Sequence, residues 1–203
     1  MATRQPAPTT GICGAVYGDI IGLPYELRAN RTKDYHFLLK LNDFSDDTIL
    51  TIAIADWLMG ERTHECMKQK LLHYSLRFRE KNVWGRGYQA WFESGGTIDR
   101  TGVASNGAAM RVTAIGYASD QMDEVLRLAE MSARVSHDSD EAVRGAQSVA
   151  ACVLMARTGT SKAEIHDFVM ARFGYDLDRT IPAIRENYQF EILCDRCVPE
   201  SIM

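Results

Sequence analysis

The sequence predicts an all-α protein with a single domain. Apolar residues recur at helical spacing along most of the chain, and convincing runs with the alternation of a β-strand are absent. A length of 203 residues fits one domain, and 46% hydrophobic with 25% charged residues is the balance of a globular protein. We expect residues 1–10 to be a short disordered lead-in and residues 11–203 to form the domain.

The first predicted helix is rich in glycine. Glycines at positions 11, 14, 18 and 22 are three or four residues apart, which gives a helix a flat face suited to close packing or to the approach of a ligand. Leu23 and Pro24 are expected to end it and to leave Glu26 in a loop. The glycine order is not G-x-G-x-x-G and no strand precedes it, so a dinucleotide-binding fingerprint is excluded.

Capping residues and apolar stripes predict the helices that follow. One spans residues 47–58, and Thr63 caps the next, after which a glycine-containing loop covers residues 85–96. A further helix is expected to start near Asn106, and another after a cap at Asp120.

The last part of the chain predicts three more helices. One opens at residues 138–139 and has a broad surface of small residues, so we expect it to lie centrally. Ser161 and Glu164 form a capping box for a helix that ends at Gly174, and a last helix is expected after Pro182.

Charge and composition exclude some functions. The net charge of −4 argues against a protein that binds nucleic acid through its phosphates. No apolar run approaches the roughly 20 residues of a membrane span, so we expect no membrane partner. Five scattered cysteines without a secretory signal favour a reduced, cytoplasmic protein.

Residues 45–48, Ser-Asp-Asp-Thr, are the most informative segment. Carboxylates and hydroxyls are the ligands that Mg²⁺ or Mn²⁺ prefers, so Ser45, Asp46 and Asp47 are candidate metal ligands. The alternative is an ordinary helix start, where Ser caps free N–H groups and Asp favours the positive end of the helix dipole. The segment alone leaves both interpretations open.

A second candidate site is the loop that contains Gly102, Ser105, Asn106 and Gly107. Free N–H groups at a helix start suit a phosphate, and a glycine allows close approach, although an ordinary Ser/Asn cap would explain the same residues. His137 precedes a helix in an acidic setting, where it is either a surface residue or a ligand contact.

Taken together and in this order, these segments resemble the ADP-ribosylglycohydrolase family, which includes the dinitrogenase-reductase-activating glycohydrolases. The resemblance runs from about Gly11 to the end of the chain, and its motifs are residues 14–19, 22–26, 45–48, 105–111, 136–137 and 197–200. It implies an all-α bundle with two divalent metals in a central cleft, and hydrolysis of the bond between ADP-ribose and a modified side chain or small acceptor.

The resemblance also implies roles for the candidate residues. Ser45, Asp46 and Asp47 would supply half of a Mg²⁺ or Mn²⁺ site. Glu26 would lie close to the scissile bond, either activating water or gating entry. Asp46 and Asp47 would thus be catalytic with Glu26. The diphosphate of an ADP-ribose-containing substrate would be held by Gly102, Ser105, Asn106 and Gly107, while His137 would contact the nucleotide or ribose.

One departure from the family pattern concerns the second half of the metal site. Family members carry a late Asp-x-Asp-Thr motif, which this sequence lacks, so we expect a C-terminally shortened bundle. The missing carboxylates leave open a non-catalytic module that binds ADP-ribose or a related nucleotide. They also suggest that a second copy of the chain completes the cleft, so a homodimer is expected.

Overall fold

The structure, a computed structural model, is built from helices. It describes residues 11–26, 32, 34–37, 39–40 and 42–203. Within this part of the chain the only extended pairings are two isolated bridges, Thr101 with Asp138 and Ser105 with Leu193. The all-α prediction is therefore confirmed, while the predicted lead-in at residues 1–10 lies outside the described residues.

The described residues contain nine α-helices, joined by short loops and 3₁₀ turns. The α-helices are α1 Gly11–Gly22, α2 Asp46–Met59, α3 His64–Arg77, α4 Arg86–Glu93, α5 Met122–Arg134, α6 Asp140–Arg157, α7 Lys162–Phe173, α8 Ile181–Asn187 and α9 Cys194–Ile202. The 3₁₀ turns are Leu23–Tyr25, Arg79–Lys81, Asn106–Ala108 and Val112–Tyr117. No helix in this part of the chain has both the length and the apolar character needed to cross a bilayer.

Side-chain caps begin four of these helices where the sequence predicts them. Ser45, Thr63, Ser139 and Ser161 each accept a hydrogen bond from a backbone N–H in the first turn. Ser161 and Glu164 form the predicted capping box, and Gly174 ends α7 in the left-handed conformation at φ 70°.

The glycine-rich helix α1 has the predicted bounds, but its glycine face is only partly covered. A Cβ added at Gly11 would lie 2.2 Å from the ring of Tyr117, so that glycine permits a close contact. Nothing in the described residues lies within 4 Å of a Cβ built at Gly14, Gly18 or Gly22.

The prediction of a loop over residues 85–96 is wrong, because α4 lies within it. Tyr88, Trp91 and Phe92 are buried on one face of α4, and Trp84 packs with them. Burial of aromatic surface outweighs the glycines at positions 85 and 87, whose presence suggested a loop.

The predicted helix starting near Asn106 is replaced by two 3₁₀ turns. The Asn106 carbonyl accepts from both Ala109 N–H (2.8 Å) and Met110 N–H (3.0 Å), as is common in tight turns. Gly116, in the second turn, lies so close to α6 that an added Cβ would be 2.6 Å from Val153 Cβ.

The predicted cap at Asp120 is also wrong. Helix α5 begins after Gln121, which makes no side-chain cap, and Asp120 Oδ1 instead accepts from Arg157 Nη2 at 2.7 Å. Arg157 also donates to the Gly116 and Ser119 carbonyls, so this long-range contact ties the end of α6 to the loop before α5.

Helix α6 is central, as predicted from its small residues. It packs against α5, α7, α9 and the turn Val112–Tyr117. Ala142, Ala146 and Ala150 are fully buried on it. Helices α2, α3 and α4 contribute large side chains to the core, among them Trp57, Leu71 and Trp91.

Candidate active site

The acidic segment forms the start of α2. Ser45 is the N-cap, and its Oγ accepts from Asp47 N–H at 3.2 Å. Asp46 and Asp47 are the first two helical residues and are partly buried. The cap interpretation is therefore confirmed for Ser45, and the same geometry keeps both carboxylates at one helix end.

Asp19 of α1 is bonded to this helix start through both carboxylate oxygens. Its Oδ2 accepts from Ser45 N–H (2.8 Å), Thr48 N–H (3.1 Å) and the Thr48 hydroxyl (2.6 Å). Its Oδ1 accepts from the Ser45 hydroxyl at 2.6 Å. This carboxylate joins two helices that are far apart in the sequence.

Glu26 lies in a turn directly after Leu23–Tyr25, and its charge interacts with the same cluster. Burial, and next the charge of the neighbouring Asp47, raise the pKa of Asp46 to about 8. Burial raises the pKa of Asp47 to about 6, with Asp19 as the next cause. The pKa of Glu26 is raised by burial and then by Asp19.

This cluster is uncompensated in the described part of the chain. None of Asp19, Glu26, Asp46 and Asp47 forms a salt bridge with a described basic side chain. Because Asp46 is buried and lies near other carboxylates, its pKa of about 8 favours the protonated form near neutral pH.

The predicted substrate-binding loop is tied to the segment that follows α5. Gly102 N–H donates to the Asp138 carbonyl at 2.7 Å, and Asp138 N–H donates to the Arg100 carbonyl at 3.2 Å. A Cβ built on Gly107 would lie 2.6 Å from His137 Nε2, so loop and histidine are in direct contact.

The same loop also pairs with the segment before α9. Asn106 N–H donates to the Ile192 carbonyl at 2.8 Å, and Ser105 forms the bridge with Leu193. The N–H groups of Gly102 and Asn106 are thus bonded within the protein.

His137 is buried and neutral. Its Nδ1 lies 2.9 Å from Ser136 Oγ, and its ring stacks on Tyr88 with 6.2 Å between centroids and 23° between planes. Burial holds the pKa of His137 well below its usual range, and the positive charges of Arg111 and Arg100 act in the same direction. A neutral imidazole offers a hydrogen bond rather than a charge.

Tyr88 connects the histidine with the acidic residues. Burial raises the pKa of Tyr88 to about 12, and Asp46 is close enough for its charge to contribute to the rise. The Tyr88 hydroxyl lies 3.1 Å from Ser75 Oγ. These residues are therefore neighbours in one region of the molecule: Tyr88 lies between the acidic cluster and His137, and His137 contacts Gly107.

The sequence profile of the ADP-ribosylglycohydrolase family matches residues 9–195. The chain belongs to this family. Its membership makes the protein a hydrolase of the ADP-ribosylglycohydrolase type. A comparison with curated proteins found no match.

The donor atoms of the family member's acidic segment fit a hard divalent cation. Mg²⁺ commonly binds one or two carboxylates and completes its coordination shell with oxygens of water and substrate. The side-chain oxygens of Asp46, Asp47 and Ser45 are therefore ligands of a suitable type. Among the described residues no group of three or more His, Cys, Asp and Glu side chains could hold an ion alone. A cation here would therefore need oxygens from water or substrate.

Arg111 is fully buried next to Ser136 and His137, and the sequence motifs assign it no role. Its Nη2 donates to the Ser132 carbonyl (2.6 Å) and to Ser136 Oγ (3.1 Å). Its Nε and Nη1 have no partner in the described part of the chain, and burial lowers its pKa to about 10. Arg111 holds Ser136, which in turn contacts His137. The signal in the sequence was a lone arginine within an apolar stretch.

Two open grooves lie elsewhere, at the C-terminal end of the described chain. One, with a volume of about 510 Å³, is lined by residues of the α7–α8 loop and α9 and by Arg144. Its three arginines are paired, Arg144 with Asp195, Arg179 with Glu200 and Arg196 with Glu191. Neither groove is lined by a predicted site residue.

Proposed function

We propose that this family member is a metal-dependent hydrolase that cleaves the bond between ADP-ribose and a modified side chain or small acceptor. The observation that carries the proposal is the carboxylate cluster of Asp46, Asp47 and Glu26, with which no basic side chain of the described residues forms a salt bridge. Ionised carboxylates this close repel one another, and a bound cation removes that repulsion.

Ser45, Asp46 and Asp47 bind the Mg²⁺ or Mn²⁺ in this proposal. When bound, such a cation lowers the pKa of a water molecule and orients the ribose hydroxyls. Glu26 stabilises the positive charge that develops at the anomeric carbon as the leaving group departs. Burial, and then the charge of Asp19, raise the pKa of Glu26 above its usual value.

The loop of Gly102, Ser105, Asn106 and Gly107 binds the diphosphate, and His137 contacts the nucleotide or ribose. The contact between Gly107 and His137 supports a shared role for them. Since Gly102 and Asn106 N–H groups bond to carbonyls of the protein, the diphosphate is held chiefly by the other groups of the loop.

We place the protein in the cytoplasm, where thiols stay reduced. All five cysteines are free, and Cys194 and Cys197 form no disulfide.

The test is hydrolysis of an ADP-ribosylated protein in the presence of Mn²⁺ and after chelation with EDTA. Asp46→Ala and Asp47→Ala are expected to abolish the metal-dependent release of ADP-ribose. The matched control is Asp123→Ala, which removes an exposed acid from the first turn of α5 and should retain activity. Equal release with Mn²⁺ and EDTA, or full activity in both site variants, would contradict the proposal.

A further inference from the structure

Asp19 is the residue that connects α1 to the proposed cation ligands. We propose that Asp19 is a positioning residue: because it accepts the hydrogen bond of the Ser45 hydroxyl, a lone pair of Ser45 Oγ is left to face a cation beside Asp47. This inference rests on the proposed function, because it concerns the same cation. Both carboxylate oxygens of Asp19 are engaged by the start of α2, Oδ2 through three hydrogen bonds from Ser45 and Thr48 and Oδ1 through one from Ser45.

The distances around Ser45 Oγ decide where its proton goes. The hydroxyl has one proton and two candidate acceptors, Asp19 Oδ1 at 2.6 Å and Asp47 Oδ2 at 3.1 Å. The shorter contact is the better hydrogen bond, so the proton points to Asp19. One lone pair of Ser45 Oγ accepts from Asp47 N–H, and the other remains for a ligand.

Asp19 also holds the backbone that carries the two carboxylates. Its Oδ2 accepts from the N–H groups of Ser45 and Thr48, which lie on either side of Asp46 and Asp47. The first turn of α2 is therefore fixed against α1, the helix that leads to Glu26. Ligands that are held by outer partners bind metal more tightly because less ordering remains to be done.

Asparagine at position 19 changes the proton arrangement with almost no change in size. An amide has one acceptor oxygen, which would keep the three donors that now meet Oδ2, and its NH₂ group would then face Ser45 Oγ. Ser45 would have to accept from that NH₂ and turn its proton to Asp47 Oδ2. Both lone pairs of Ser45 Oγ would then be occupied, and one lone pair of Asp47 as well.

The experiment is calorimetric titration of Mn²⁺ into the full chain and its variants. Asp19→Asn is expected to weaken Mn²⁺ binding about 10- to 100-fold, as is usual for residues that orient metal ligands. Ser161→Ala is the matched control, because it removes the cap of a distant helix, α7, and should keep the affinity of the unaltered protein. Thermal unfolding of both variants verifies that each is folded.

A double-mutant cycle with Ser45→Ala separates positioning from general stability. Ser45→Ala alone should lose affinity, and adding Asp19→Asn to it should cost much less than Asp19→Asn costs alone, because no hydroxyl remains to be turned. The Ser45→Ala result also stands if Asp19→Asn does not fold.

The outcomes distinguish this inference from the proposed function. Mn²⁺ binding by the unaltered chain, with unchanged affinity in Asp19→Asn or in Ser45→Ala, overturns the positioning role alone. An equal loss from Asp19→Asn in both backgrounds also overturns it. Absence of Mn²⁺ binding by the unaltered chain overturns the proposed function together with this inference.

Discussion

Replacing Asp46 with asparagine is expected to stabilise the metal-free protein at alkaline pH. The pKa of Asp46 is raised from 3.8 to about 8 in the folded state, so the folded protein holds this proton more tightly than the unfolded chain does. The resulting stabilisation is complete below about pH 4 and is lost as the pH rises through 8. Asparagine carries no titrating proton and does not incur this loss.

The size of the effect follows from the difference between the pKa values of Asp46 in the folded and unfolded states. The difference between a pKa of 3.8 in the unfolded chain and about 8 in the folded protein sets an upper limit of about 6 kcal/mol at pH 9, because each pH unit is worth about 1.4 kcal/mol. Asp46 is partly exposed and titrates together with Asp47, so we expect about 2 kcal/mol. For a chain of this length that is a melting temperature about 4–8 °C higher.

The assay is thermal unfolding by circular dichroism in EDTA, at pH 5 and pH 9, with Asp123→Asn as the control for a first-turn acid. The difference between Asp46→Asn and the unaltered protein should be small at pH 5 and large at pH 9. With saturating Mn²⁺ the order should reverse, because a ligand at 100 times its Kd adds about 2.7 kcal/mol to the protein that binds it.

A lower melting temperature for Asp46→Asn at both pH values would refute this reasoning. An ionised acid whose only role is to interact with the positive end of the helix dipole stabilises the protein by about 0.3–1 kcal/mol, and its removal lowers the melting temperature. That result would make Asp46 an ordinary first-turn residue rather than a member of a strained acidic cluster.

Three further substitutions test the fold and the substrate loop. Gly107→Ala should lower stability by about 1–3 kcal/mol and weaken ADP-ribose binding in calorimetry, because its Cβ would lie 2.6 Å from His137 Nε2. Gly116→Ala should cost about 1–3 kcal/mol in urea unfolding, since its Cβ would meet Val153. Gly14→Ala is the control for both and should not destabilise, because no described residue lies within 4 Å of the added Cβ. Ser161→Ala should lower the free energy of unfolding by about 1 kcal/mol in the same assay without changing ADP-ribose binding. Unchanged stability of the Gly107, Gly116 or Ser161 variant would contradict the contacts described.

Local chemistry explains which helices the sequence could predict. The caps at Ser45, Thr63, Ser139 and Ser161 act within one turn, so the sequence alone locates those helix starts. The start of α5 was missed because Asp120 bonds to Arg157, a partner that only the folded chain brings near.

The sequence predicts most residues of the candidate site but not the contacts that hold them together. The acidic segment, Glu26 and the loop that contacts His137 were named from sequence motifs. Asp19 and Tyr88 were given no role, because one acts through hydrogen bonds between α1 and α2 and the other through stacking of α4 on His137. Neither contact leaves a spacing pattern in the sequence.

The most direct test of the central claim is calorimetric titration of ADP-ribose with Mn²⁺ present and again after chelation. The account predicts binding with Mn²⁺ and its loss in EDTA, because the carboxylates of Asp46 and Asp47 would then face the substrate without a cation between them. Equal binding in both conditions, or none in either, would contradict a cation-dependent ADP-ribose site at the start of α2.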